Sequence, residues 1–164
     1  MQTKDTSQTL TRLLSELVDG TSGRGMAFVL NTGDVGLLGS LDKLSASDAS
    51  RSANGGATIA AHAQHVRYGL SLMNRWASEG GNPFADATWD AAWKLSAVDE
   101  AQWQEIRGGL REETRCWSLV LQSDREVSGV EFTGMVASIV HLAYHLGAIR
   151  QIHKEARGPV EGTF

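Results

Sequence analysis

Residues Phe132 to Ile149 run for 18 positions without a formal charge, and this stretch limits the fold more than any other feature of the chain. A membrane-spanning helix needs about 20 apolar residues, so the run either crosses a bilayer or is buried among other helices. It carries Thr133, Ser138, His141, Tyr144 and His145, and imidazoles near a bilayer centre are costly. The expectation is therefore a core helix inside a soluble, cytoplasmic protein with no membrane association. Met1 to Thr9 is polar and lacks a basic segment followed by an apolar one, so no signal peptide is expected.

The rest of the chain is punctuated as helices. Leu10, Leu13, Leu14 and Val18 mark one face of a helix over Ser7 to Val18. Asp19-Gly20 ends it, and the stretch Gly20 to Gly36 reads as a long Gly-rich connection of the kind that is often functional. Leu37 to Leu44 suits a short helix, and Ser45 to Gly56 reads as polar loop. Thr58 to Glu79 is a long helix stopped by Gly80, Gly81, Asn82 and Pro83. Ala85 to Leu95 is a short amphipathic piece carrying Trp89 and Trp93. Asp99 is the expected N-cap of a second long helix, whose apolar stripe is Trp103, Ile106, Leu110, Trp117, Val120 and Leu121. Val130 to His153 is the last helix, closed by Gly158-Pro159. No strand alternation appears. Four long helices in 164 residues predict one all-α domain over residues 1–164, a four-helix bundle with short extra helical pieces.

Composition narrows the partners. Fifteen Lys and Arg against 19 Asp and Glu give a net charge of −4 with no basic cluster, which argues against a nucleic-acid surface. A single cysteine, Cys116, excludes an internal disulfide and any cysteine-based metal cluster.

Four of the five histidines form two pairs, His62 with His65 and His141 with His145. Residues four apart diverge by about 40° round a helix and sit about 6 Å apart along it, so His141 and His145 can aim at one point. One more imidazole from a facing helix completes a three-nitrogen site for a divalent ion, with the remaining positions open. Gly134, Ala137, Ser138 and Ala148 share the face of that pair, and small residues beside imidazoles leave a cavity. The bland alternative is two hydrogen-bonded core histidines. Periodicity leaves the third ligand open. His62 lies at the edge of the stripe Ile59, Ala63, Val66, Leu70 and Met73, and His65 lies about 60° further round, beside Gly69, Leu72 and Trp76. Spacing alone slightly favours His62.

The segment T-I-A-A-H-A-Q-H-V (Thr58 to Val66), taken with H-L-A-Y-H-L-G-A-I-R-Q (His141 to Gln151), resembles the DinB/YfiT-like superfamily. The Trp89/Trp93 and Asp99/Trp103 pairs sit where such chains place their middle elements, and the likeness spans roughly residues 57 to 153. The resemblance implies a four-helix bundle with a three-histidine divalent metal site, one ligand from the second long helix and two from the last. Carried over by motif, the ligands are His65, His141 and His145, with zinc, nickel or manganese as the ion, and His62 becomes an outer or surface residue. Many members read His-x-Gly-Gln after the last ligand. Here His145-Leu146-Gly147 is followed by Ala148, and Gln151 lies one turn on.

Other residues carry weaker expectations. Asn31 and Asp34 can reach over a metal, but a solvated Asn-Thr-Gly-Asp turn is the commoner arrangement. Tyr144 can donate to a bound oxyanion, though a packed aromatic is the plainer reading. Trp89, Trp93, Trp103 and Trp117 read as core or dimer contacts, Cys116 as a small buried hydrophobe and His153 as surface. Gly108-Gly109 marks a weak point of its helix or a close approach.

Three neutral imidazoles leave an ion its full charge. The chemistry expected is hydrolysis, or transfer to or from a low-molecular-weight thiol, the latter implied by the superfamily's thiol transferases and metal-dependent hydrolases. The competing expectation is a non-catalytic, stress-related helical dimer in which histidines or metal are structural. A homodimer is expected in either case. No general acid or base can be named from the sequence.

Overall fold

The computed structural model describes residues 3–21 and 26–160. Among the described residues there are seven helices, one 3-10 turn and no strand, as an all-α chain requires. The helices are α1 (Thr3–Asp19), α2 (Gly36–Asp42), α3 (Ala46–Ala49), α4 (Ile59–Glu79), α5 (Asp90–Trp93), α6 (Glu100–Gln122) and α7 (Gly129–Ile152). Positions 22–25 of the Gly-rich connection lie outside the described residues.

Caps set the register of the long helices. The Thr58 hydroxyl accepts from the Ala61 N–H at 3.1 Å and donates to the Leu95 carbonyl at 3.0 Å, so one residue starts α4 and ties it to the segment after α5. Asp99 and Gln102 form a reciprocal capping box at α6, and Ser128 and Glu131 form another at α7. A third box, Ser45 with Asp48, starts α3 inside the stretch expected to be polar loop. The expected helix over Ala85 to Leu95 shortens to four residues. Its first half instead folds as turns round α4, where the Thr88 N–H donates to the Tyr68 hydroxyl at 2.9 Å and Phe84 stacks on Trp89.

Each of α1 and α4 packs against both α6 and α7. Trp103 and Trp117 are fully buried between them, with their indole N–H groups satisfied by the Leu44 carbonyl at 2.8 Å and the Ser138 hydroxyl at 2.9 Å. Gly109 accommodates the Arg67 guanidinium, which occupies the place of a β-carbon; Gly108 has nothing near it.

The apolar last helix is only partly enclosed. Met135, Ile139, Leu142, Leu146 and Ile149 are buried, while Val136, Val140 and Tyr144 face outward, Tyr144 at 69% exposure. Tyr144 is therefore not the packed aromatic expected, because it lies about 140° round the helix from Ile139. By length and composition α7 is also sufficient to cross a membrane, and 39% of its most apolar window is buried.

The connection after α1 is held from within. The Glu16 carboxylate accepts backbone N–H groups of Phe28, Val29 and Leu30 at 2.7 to 3.0 Å. Burial pushes its pKa up, but these donors and Arg12 outweigh burial and hold it below the usual carboxylate range. Gly20 and Gly36 both have positive φ, and a β-carbon on Gly36 would meet the Gly20 nitrogen at 2.5 Å, so glycine lets the end of α1 touch the start of α2. The expected solvated turn fails at Asp34. Its carboxylate is buried and forms a two-pronged ion pair with Arg150 of α7, at 2.6 and 2.9 Å. Asn31 is exposed.

Candidate metal centre

α4 and α7 pack directly against each other, and their four histidines meet. His65 and His145 are buried, and His62 and His141 are half-buried. The His141 Nε2 lies 3.1 Å from His65 Nε2 and 2.9 Å from His145 Nε2. Donor atoms of these three residues all fall within 4.8 Å of one another. Among the described residues, this is the group of histidine, cysteine or carboxylate donors that can hold a metal ion.

Hydrogen bonding does not satisfy this arrangement. A neutral imidazole nitrogen is either a donor or an acceptor, so His141 Nε2 can make one good bond while standing close to two ring nitrogens. A cation resolves the conflict, since all three lone pairs can then point at one centre. Two nitrogens bound tetrahedrally to zinc at about 2.0 Å are about 3.3 Å apart, close to the separations found. The other ring nitrogen of His65, Nδ1, is buried without a hydrogen-bond partner.

Electrostatics favour the ligating form. Burial lowers the pKa of His65 to about 4 and that of His145 to about 3, with neighbouring histidines adding to the effect. Burial also lowers His62 and His141. All four are neutral at pH 7, which is the state that binds metal.

The structure brings His65, His141 and His145 together, against the slight preference of periodicity for His62. The buried arc of α4 is wider than its aliphatic stripe, because α4 faces both α6 and α7, and it takes in His65 and Gly69. His62 is nevertheless no bystander. Its Nδ1 lies 2.9 Å from His145 Nδ1, so one nitrogen of His145 is oriented by His62 while the other faces the cluster.

Two tryptophans wall the site, correcting their assignment to core or dimer contacts. The Trp93 ring lies 4.3 Å from that of His65 and 5.4 Å from that of His62, and Trp89 lies 5.4 Å from His65. Trp93 remains 40% exposed, so it covers the histidines from the solvent side. Local periodicity could not show this, since α5 reaches the cluster only through its packing on α4.

Other expectations fall elsewhere. His153 is buried, not at the surface: α7 ends at Ile152, and the extended residue 153 turns its ring onto Arg51 and Asp48, at 3.0 and 3.3 Å. Cys116 is half-exposed beside Trp117, and its thiol donates to Glu112 at 3.4 Å. Burial and Glu112 push the thiol pKa up. Asp34 is committed to Arg150, and Gln151 is exposed.

Acid should unfold the metal-free protein through these histidines. Between the unfolded value near 6.5 and the lowered native values, the unfolded chain binds more protons, so stability falls as pH drops. From pH 7 to pH 4 the expected loss is on the order of several kcal/mol. Urea midpoints at pH 7, 5.5 and 4.5 measure it, and His65→Phe should flatten the dependence.

The fold and the site define an all-helical protein with a three-histidine centre able to hold a metal. No family model, curated protein or solved structure matches the chain.

Proposed function

We propose that this chain is a cytoplasmic, divalent-metal-dependent enzyme of the DinB/YfiT-like type, a four-helix bundle built from α1, α4, α6 and α7. Its reaction is hydrolysis or transfer involving a low-molecular-weight thiol. The observation that carries the reading is the convergence of imidazole nitrogens from His65, His141 and His145, in which His141 Nε2 faces two ring nitrogens and can make one good hydrogen bond. A bound zinc, nickel or manganese ion would supply Lewis-acid chemistry, acidifying water or a thiol brought to it.

The chain's own groups do the rest. His62 fixes the orientation of His145, and Trp89 and Trp93 restrict water on one side. A metal closed by a fourth protein ligand would mark a structural site. Among the described residues, no carboxylate or thiol joins the three histidines, which favours the catalytic reading over the non-catalytic dimer. The exposed apolar face of α7, with Val136, Val140 and Tyr144, supports a homodimer, and the net charge of −4 supports a partner other than nucleic acid.

Elemental mass spectrometry on untagged protein tests the reading. The expected result is close to one divalent ion per chain, lost in His65→Ala and in His141→Ala. Parent protein that takes up no zinc, nickel or manganese on dialysis would overturn it.

A further inference from the structure

A cavity of about 460 Å³ opens between α4 and α7, with His141 in its wall. Two larger cavities beside α1 contain no histidine in their linings. The one beside His141 has small residues, Gly69, Gly134, Ala137 and Ser138, among those lining it. At Gly69 a β-carbon would sit 3.7 Å from both His141 Cε1 and the Trp89 ring. At Gly134 it would press on the Trp76 ring at 2.8 Å. The small residues Gly134, Ala137 and Ser138 line the cavity that the sequence led us to expect, and Gly134 lets the Trp76 ring approach α7 closely; Ala148 lies outside its lining.

The chemistry of this wall is uniform. No Asp, Glu, Lys or Arg lines it. Its two hydroxyls are already engaged: Thr133 donates to the Gly129 carbonyl at 2.8 Å, and Ser138 donates to Met135 while accepting from Trp117. Met73, Trp76, Phe84 and Trp89 supply most of the remaining surface. A charged molecule placed here would lose its hydration without gaining a counter-ion. The volume lies within the range of small-molecule sites, about 300 to 1,000 Å³.

We infer that this cavity holds the uncharged, apolar body of a small-molecule substrate whose polar head reaches the three-histidine centre past His141. The inference rests on the metal reading of those histidines and adds the class of molecule. The partner that occupies the cavity is an alkyl or aryl compound with one metal-seeking end. A highly polar thiol, where one takes part, approaches from another side.

Alkyl hydroxamates test this, because the head is constant and only the tail grows. Zinc-loaded protein is titrated by calorimetry with acetohydroxamate and octanohydroxamate. Each buried methylene is worth about 0.8 kcal/mol, roughly fourfold in affinity, so six added carbons should tighten binding by at least a hundredfold. Thr133 and Ala137 are exposed at the rim, so Ala137→Trp or Thr133→Trp fills the cavity without disturbing the core. Either should remove most of the chain-length gain and leave acetohydroxamate affinity unchanged. Equal affinity for both hydroxamates in the zinc-loaded parent would overturn the inference and leave the metal reading standing. Failure to take up zinc, nickel or manganese would overturn the metal reading. The cavity is then judged with 1-octanol: binding abolished by Ala137→Trp supports an apolar site, and no binding overturns it.

Discussion

Zinc at a thousandfold excess over its dissociation constant is expected to raise the free energy of unfolding by about 4 kcal/mol, and His145→Ala is expected to remove that gain. The magnitude follows from mass action, since a ligand that binds only the folded state stabilises it by RT ln(1 + [L]/Kd). The histidines come from α4 and α7, about 80 residues apart in the chain, so the unfolded state has no preformed site to compete. His145 is the sharpest position to remove, because its Nε2 faces His141 and its Nδ1 faces His62. His62→Ala keeps the three nitrogens but releases the orientation of His145, and a weakening of metal affinity by about 10- to 100-fold is expected. Denaturant midpoints with and without zinc measure both variants. A zinc gain that survives His145→Ala would place the ion elsewhere on the protein.

Asp34→Ala should cost about 3 to 5 kcal/mol, the range for removing one partner of a buried ion pair. The Asp34 side chain is 2% exposed and that of Arg150 is 15% exposed, so truncating the carboxylate leaves the guanidinium enclosed and uncompensated. Arg150 keeps a contact with the Ser40 hydroxyl at 3.3 Å, which cannot replace a charge. The Asp34→Ala/Arg150→Ala double variant should lose less than the sum of the single losses, because neither orphaned charge then remains. Urea unfolding of the four proteins completes the cycle. Strict additivity would show that the pair contributes nothing beyond its separate side chains. The effect reaches beyond stability, since this pair fastens the connection after α1 onto the helix that carries His141 and His145.

The long helices were legible because each signal for them is local. Thr58 caps α4, Gly80 and Gly81 end it, and Asp99 starts α6, all through bonds within a few residues. The ligand pair His141 and His145 was legible for the same reason, being one helical turn apart. Errors arose where a residue's environment comes from distant segments. Asp34 looks like a turn residue until Arg150, 116 positions away, is brought against it. His153 looks exposed until the helix ends one residue earlier and turns it onto α3. Trp93 looks like core until α5 lays it over His65. The choice of His65 beside His62 came from a motif, and the aliphatic stripe pointed the other way.

Sequence by itself determined that this protein is helical, where α4, α6 and α7 start, and that the last of them carries two imidazoles on one face, while α1 starts at Thr3, four residues before the expected Ser7. Caps, breakers and the helical repeat act over a few residues, and they are written in order along the chain. Only the tertiary structure decided that His65 meets His141 and His145 at the joint between α4 and α7. It also decided that His62 supports His145, that Trp93 covers the cluster and that a cavity with Gly69 and Gly134 in its wall opens beside it. Those relations depend on how two helix faces rotate against each other as the shared core packs, and no single segment encodes that rotation.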